Sequence, residues 1–205
     1  MHGLGNDFMM VDLISQQVML NPDLIRKLSD RRFGIGFDQL LTVRPPAEPE
    51  SDFRYSIYNA DGSEAEQCGN GARCFLRFVR DEGLTTKSTI RLETSSGNIT
   101  CKLEKDANIT VDMGKPALQP VEIPFIADTS QINYNLHLAP ERADTFLISA
   151  VNVGNPHAVI TVPSVNSAPV LEVGPLVERH PRFPEGVNVG FMEIVTRKKI
   201  RLRVF

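Results

Sequence analysis

NADGSEAEQCGNGAR, residues 59–73, runs without a break into CFLRFVRDEG, residues 74–83. The first stretch is polar and glycine-rich, while the second carries the most apolar helical pattern in the chain. Ala72, Phe75, Leu76 and Val79 fall at i, i+3, i+4 and i+7, so a helix is expected from about Asn70 to Glu82, ended by Gly83. Phe78 widens the apolar face beyond one stripe. A helix that is apolar over so much of its circumference is expected to be surrounded by sheet rather than laid on a surface.

Short strands fill most of the remaining chain. Phe53, Tyr55 and Ile57 alternate with polar residues, as do Ile99, Cys101 and Leu103. Further strands are expected near 8–12, 40–43, 89–94, 108–112, 146–153, 157–162 and 189–195. A first helix opens with Asn21 as N-cap and Pro22 in its first turn, sets Leu24, Ile25 and Leu28 on one face, and stops before Gly34. Lys199, Arg201 and Arg203 alternate with Ile200, Leu202 and Val204, the pattern of a half-exposed strand rather than of a nucleic-acid patch. Pro45, Pro46 and Pro49 mark a loop, and the stretch from Gly114 to Pro120 is the candidate domain link.

The second half of the chain echoes the first. Gly5-Asn6 recurs as Gly154-Asn155 at a shift of 149 (154 − 5), and Gln39 corresponds at that shift to Asn188. Arg32-Phe33 returns as Arg182-Phe183, and Arg54 to Tyr58 resembles Arg201 to Phe205. The expected architecture is therefore α+β with two similar units, 1–114 and 115–205. Phe205 matches Tyr58, so the counterparts of Asn59 and Cys68 would come after the last residue given.

The chain's 205 residues, 41% of them hydrophobic, can bury a real core, and a net charge of −3 gives no reason to expect nucleic acid or an anionic membrane. No apolar run approaches the ~18 residues of a membrane span. Three cysteines do not make a disulfide framework. The expected setting is cytoplasmic, with free thiols.

Cys68 is the candidate reactive residue. Gly69 and Gly71 let backbone N–H groups approach a ligand at a helix start, a position that favours anions such as a carboxylate. The same positive helix end favours the thiolate form of an adjacent cysteine. Three other readings compete. The glycines could cradle a phosphate, but neither a dinucleotide fingerprint nor a P-loop is complete. Cys68 and Cys74 could pair for redox or zinc, but five intervening residues fit neither. Cys68 could be a packed small hydrophobe, which suits Cys101 on the apolar side of a strand and Cys74 within the helix, but not a cysteine between Gln67 and Gly69.

NADGSEAEQCGNGAR, with HGLGNDF (2–8), GFDQLL (36–41), GNPHAV (154–159) and FPEGVNV (183–189) in this order, closely resembles the bacterial diaminopimelate epimerases over essentially the whole chain. Looser forms of CGNGAR occur in proline racemases and phenazine-pathway isomerases. The resemblance implies two pseudo-symmetric domains, each a curled, mostly antiparallel, barrel-like sheet around a central helix, with the active site in the cleft between them and the second domain incomplete here. It implies an isomerase that inverts the α-carbon of LL-2,6-diaminopimelate to the meso isomer, for lysine and peptidoglycan precursor synthesis. No cofactor is implied, neither pyridoxal phosphate nor metal. One cysteine would take the α-proton as thiolate and a second would deliver a proton to the opposite face, as inversion requires.

By the same resemblance Cys68 and His157 are catalytic, with His157 tuning the thiols. Asn6, Gln39, Asn59, Gly69, Asn70, Asn155 and Asn188 contact the substrate, Gly69 and Asn70 at its carboxylate. Amides suit an amino acid, since each donates to a carboxylate and accepts from an ammonium. His2, His137 and His180 are expected to be structural or on the surface. The expected partner is the small-molecule substrate, with a homodimer in view and no nucleic acid or membrane. Relatives carry a few residues before HGLGN, and after Phe205 a second glycine-rich cysteine segment and an arginine for the distal carboxylate. The chain as given is therefore expected not to turn over alone. Alternatives are a related racemase or isomerase of the same fold, a non-catalytic amino-acid-binding module, or a thiol-redox enzyme, which the 68/74 spacing disfavours.

Overall fold

A computed structural model describes residues 1–65, 68–138 and 145–205. Contacts divide the chain into two compact units, Met1–Gly114 and Lys115–Phe205.

In the first unit, β1 (His2–Gly3) and β2 (Asn6–Asp12) form a hairpin, and α1 (Pro22–Ser29) crosses to β3 (Gln39–Arg44), which lies parallel to β2. β4 (Phe53–Asn59) runs antiparallel to β3 and also pairs with the short β5 (Glu64–Ala65). After α2 (Gly69–Asp81), β6 (Thr89–Thr94) joins β4 in parallel, and β7 (Gly97–Leu103) and β8 (Ile109–Asp112) extend the sheet antiparallel. The sheet order is β1-β2-β3-β4-β6-β7-β8. Because α2 touches β1 and β2 at one end of that order and β7 and β8 at the other, the sheet curls around the helix.

The apolar stripe of α2 explains that curl. Ala72, Phe75, Leu76 and Val79 are fully buried and share one cluster with Phe8, Leu41, Val43, Phe53, Tyr55, Ile57, Ile90, Leu92 and Ile99. Burying each large side chain contributes about 1.5–3 kcal/mol, which outweighs the ~1 kcal/mol that each glycine in the first turn costs the helix. The other face of the sheet carries Val11 and Leu40, which pack with Ile25 of α1 and with Phe37. α1 is capped as the sequence suggests, the Asn21 side chain accepting from the N–H of Leu24 at 2.8 Å. It ends at Ser29, where Asp30 leaves helical geometry and its carboxylate takes the N–H groups of Arg32 and Phe33.

The second unit repeats this opening. β10 (Thr145–Asn152) and β11 (Pro156–Thr161) form a hairpin, α3 (Val170–Glu178) crosses over, β12 (Asn188–Thr196) lies parallel to β11, and β13 (Lys199–Val204) runs antiparallel to β12. β9 (Tyr134–His137) pairs on the far side of β10. The echo extends to register: Phe8 pairs with Gln39, and His157 pairs with Asn188, each 149 positions later (157 − 8 and 188 − 39). α3 stands in the place of α1, packing Val170, Val173 and Val177 against Ile148, Ala158, Ile160, Val189 and Phe191.

Three features depart from expectation. α3 forms across Gly174-Pro175, a pair that signals a break; Pro175 forgoes one helical bond, and the three valines on the sheet compensate. β9 is a strand of four residues that the sequence reading left out. β13 is exposed along its whole length, not on one face, with Ile200, Leu202 and Val204 at 53%, 56% and 66%. Their counterparts in the first unit, Phe53, Tyr55 and Ile57, are buried against α2. Among the described residues no helix is long and apolar enough to cross a membrane.

Candidate functional site

Cys68 is the N-cap of α2, with extended backbone (φ −129°, ψ 112°). The Cys68 side chain makes no capping bond and the first turn holds no acidic residue, so this helix end is suited to an anion. Gly71 permits the helix start to sit deep: a Cβ there would lie 3.2 Å from the Tyr55 hydroxyl and 3.3 Å from a Leu41 methyl. The buried Tyr55 hydroxyl in turn donates to the Cys68 carbonyl at 3.1 Å, tying the cysteine's backbone to β4. Burial pushes that phenol well above its usual range, so it stays protonated and a donor.

The three thiols divide cleanly. Cys68 is half-buried, whereas Cys74 and Cys101 are buried. Burial raises the Cys74 thiol and pushes Cys101 up to about 12. Both belong to the apolar cluster around α2. Gln67, one flank in the sequence reading of Cys68, lies outside the described residues.

Asn6, Gln39 and Asn59 form a hydrogen-bonded row that reaches Cys68 through Asn6. Each stands near a strand end at the same edge of the first sheet: Gln39 and Asn59 are register partners, and Phe8, two residues after Asn6, pairs with Gln39. The Asn6 amide donates to Gln39 Oε1 at 3.4 Å and approaches Cys68 Sγ at 3.9 Å, while Gln39 donates to Asn59 Oδ1 at 3.1 Å. Gly69 and Asn70 open α2 directly after Cys68, and the Asn70 side-chain oxygen accepts from Arg73.

Asn155, His157 and Asn188 group together in the second unit, at the start of the parallel pair β11–β12. His157 is the register partner of Asn188, whose amide donates to the Pro156 carbonyl at 3.0 Å. His157 Nδ1 lies 2.9 Å from the Asn155 carbonyl. A carbonyl only accepts, so Nδ1 carries the proton in this bond. Of the remaining histidines, His180 is buried and bonded to the His137 carbonyl at 2.9 Å, a structural role.

A groove of about 440 Å³ in the first unit, lined by Met1, Asp7, Phe8, Met9, Met10, Ile35, Gly36 and Phe78, contains none of the candidate residues. Among the described residues no three His, Cys, Asp or Glu side chains gather as a metal-ligand group. Tyr55, Asp61 and Ser63 are parts of the site that the sequence reading did not single out. The signal for the last two was present in the Asp-Gly-Ser turn that precedes Cys68.

The family model described as diaminopimelate epimerase matches residues 1–119 and 149–205. The chain belongs to the diaminopimelate epimerase family. Among solved structures it is similar to a hydroxyproline epimerase from Agrobacterium vitis with bound trans-4-hydroxy-L-proline, at TM-score 0.62 and 16% identity over 88% of this chain and 57% of that one. A probable proline racemase from Agrobacterium radiobacter K84 is similar at TM-score 0.64 and 17% identity, over 89% and 58%. A phenazine biosynthesis protein of the PhzF family from Enterococcus faecalis reaches 0.57 at 11%, over 98% and 67%. At these identities the likeness is one of fold, the diaminopimelate epimerase fold with its second domain partly present. The chain spans 57–58% of the length of the first two structures.

Proposed function

We propose that this chain carries the Cys68 side of an α-epimerase site whose substrate is LL-diaminopimelate and whose product is the meso isomer. The observation that carries this is Cys68 itself: a half-buried thiol at the N-cap of α2, reached by Asn6 at the end of a row of three amides. The Cys68 thiolate takes the α-proton and becomes a thiol. The electron pair left on carbon spreads into the substrate carboxylate, whose growing charge is met by the N–H groups of Gly69 and Asn70. A second acid then delivers a proton to the opposite face. Cys74 and Cys101 are enclosed in the core and do not serve.

Asn6, Gln39 and Asn59 suit the substrate's ammonium and carboxylate, since an amide both donates and accepts. On the family's pattern, Asn155 and Asn188 are assigned to the same substrate, and His157 to proton handling. The proposed setting is lysine and peptidoglycan precursor synthesis, with proton transfer by side chains and no pyridoxal cofactor.

Alkylation of Cys68 by iodoacetamide, followed by peptide mass, tests the assignment. meso-Diaminopimelate should slow alkylation in a saturable way, and L-proline at equal concentration should not. Protection by proline alone would move the substrate to the racemase type. Protection by neither would remove Cys68 from any amino-acid site.

A further inference from the structure

The three amides are the middle of a longer chain of hydrogen bonds. It starts in the turn 59–63, where the Asp61 carboxylate accepts from the Ser63 hydroxyl at 2.6 Å and from the Ser63 N–H at 2.8 Å. The Ser63 oxygen accepts from Asn59 Nδ2 at 3.1 Å, Asn59 Oδ1 from Gln39 Nε2 at 3.1 Å, and Gln39 Oε1 from Asn6 Nδ2 at 3.4 Å. Asn6 Nδ2 is also the group that approaches Cys68 Sγ at 3.9 Å.

The direction of every bond follows from the first. An ionised carboxylate only accepts, so the single hydroxyl proton of Ser63 points to Asp61 and the Ser63 oxygen is left as an acceptor. Asn59 must then turn its NH₂ to Ser63 and its oxygen to Gln39. Gln39 must answer with NH₂ and turn its oxygen to Asn6. Asn6 must answer with NH₂, which is the end that reaches the sulfur. Reversing the chain would set the Asn6 carbonyl oxygen against Cys68, where it repels a thiolate instead of stabilising it.

The turn is built to hold this arrangement. Asn59 N–H donates to the Ser63 carbonyl and Gly62 N–H to the Asn59 carbonyl. Gly62 has φ +85°, and a Cβ there would fall 2.6 Å from Pro22 Cα. Hydrogen bonds from the Ser63 hydroxyl and N–H hold the Asp61 carboxyl below the usual range, keeping the anchor ionised near neutrality.

We propose that Asp61 and Ser63 are positioning residues that orient the Asn59–Gln39–Asn6 amides so that Asn6 presents N–H to the Cys68 sulfur. This rests on the proposed role of Cys68 as the proton-transfer thiol, and extends it to the turn that precedes it. Neither residue needs to touch substrate.

The test reads Cys68 alkylation at pH 7 in the whole chain without diaminopimelate, so it can fail while substrate protection still holds, and the reverse. Ser63→Ala should slow alkylation about two- to tenfold, the weight of one hydrogen bond to the thiolate. Ser63→Thr, which keeps the hydroxyl, should restore the rate. Asn6→Ala should slow it at least as much as Ser63→Ala, and adding Ser63→Ala to Asn6→Ala should change nothing further, because the relay then has no end to act on. Asp61→Ala serves where Ser63→Ala fails to fold, with the same expected loss and the same lack of effect without Asn6. An unchanged rate in folded Ser63→Ala, or an equal loss with and without Asn6, would overturn the relay.

Discussion

Replacing Tyr55 with phenylalanine separates packing from positioning in the wall behind Cys68. The ring is 2% exposed and sits edge-on to Phe75 at 5.3 Å, contacts that phenylalanine keeps. What goes is the hydroxyl and its 3.1 Å bond to the Cys68 carbonyl. That carbonyl is not stranded, because the N–H of Ala72 also donates to it at 2.9 Å. The cost should therefore be that of one lost bond, about 0.5–1.5 kcal/mol, and not the ~1–3 kcal/mol of an orphaned buried acceptor. Urea unfolding, with the slope unchanged, measures it. The same bond fixes the cysteine's backbone, so Cys68 alkylation should change by a factor of about two to ten. A loss above about 3 kcal/mol would mean the acceptor is left unpaired. No loss and no change in alkylation would mean the bond does not form.

Phe75→Ala at the centre of the α2 stripe should cost about 3–5 kcal/mol in the same unfolding experiment, since the ring is fully buried and meets both Phe53 and Tyr55. In the native protein at pH 8, iodoacetamide should label Cys68 and spare Cys101, whose value near 12 leaves about one thiolate in ten thousand there, with Cys74 also spared by burial; comparable labelling of all three under native conditions would contradict the core described. Asp12 should make stability fall in acid. Burial alone would raise its carboxyl, but bonds from the Ser15 hydroxyl and the N–H groups of Ile14 and Ser15 outweigh it and leave it lowered. Its contribution is thus complete above the ordinary carboxylate range near ~3.9 and is lost as pH falls through the lower folded value, so the gap between wild type and Asp12→Ala should close below about pH 4.

How much of this was legible in the sequence depended on whether a residue's role is local. The α2 helix could be read because Ala72, Phe75, Leu76 and Val79 keep helical spacing, and β6 because its alternation is clean at 89–94. The echo could be read because Gln39 and Asn188 sit at one shift, which the pairing of Phe8 with Gln39 and of His157 with Asn188 repeats in register. α3 was hidden because Gly174-Pro175 is a local break that only tertiary contacts to the sheet overrule. Asp61 and Ser63 were not singled out: the Asp-Gly-Ser turn is visible in the sequence, but its link to Cys68 is not. Their link to Cys68 runs through Asn59, Gln39 and Asn6 on three different strands, which only register brings together. The alternation at 199–204 reported a strand correctly but not its burial, since burial depends on what lies against it.

The central claim is that Cys68 exchanges a proton with the α-carbon of diaminopimelate. Incubating the chain with LL-diaminopimelate in heavy water and measuring α-deuterium by NMR tests it most directly, because a thiol that has taken the α-proton trades it with solvent before giving one back. Deuterium should appear at the α-carbon with Cys68 in place and vanish in folded Cys68→Ala. Uptake that persists in Cys68→Ala, or no uptake in a wild-type chain whose Cys68 diaminopimelate demonstrably protects, would contradict it.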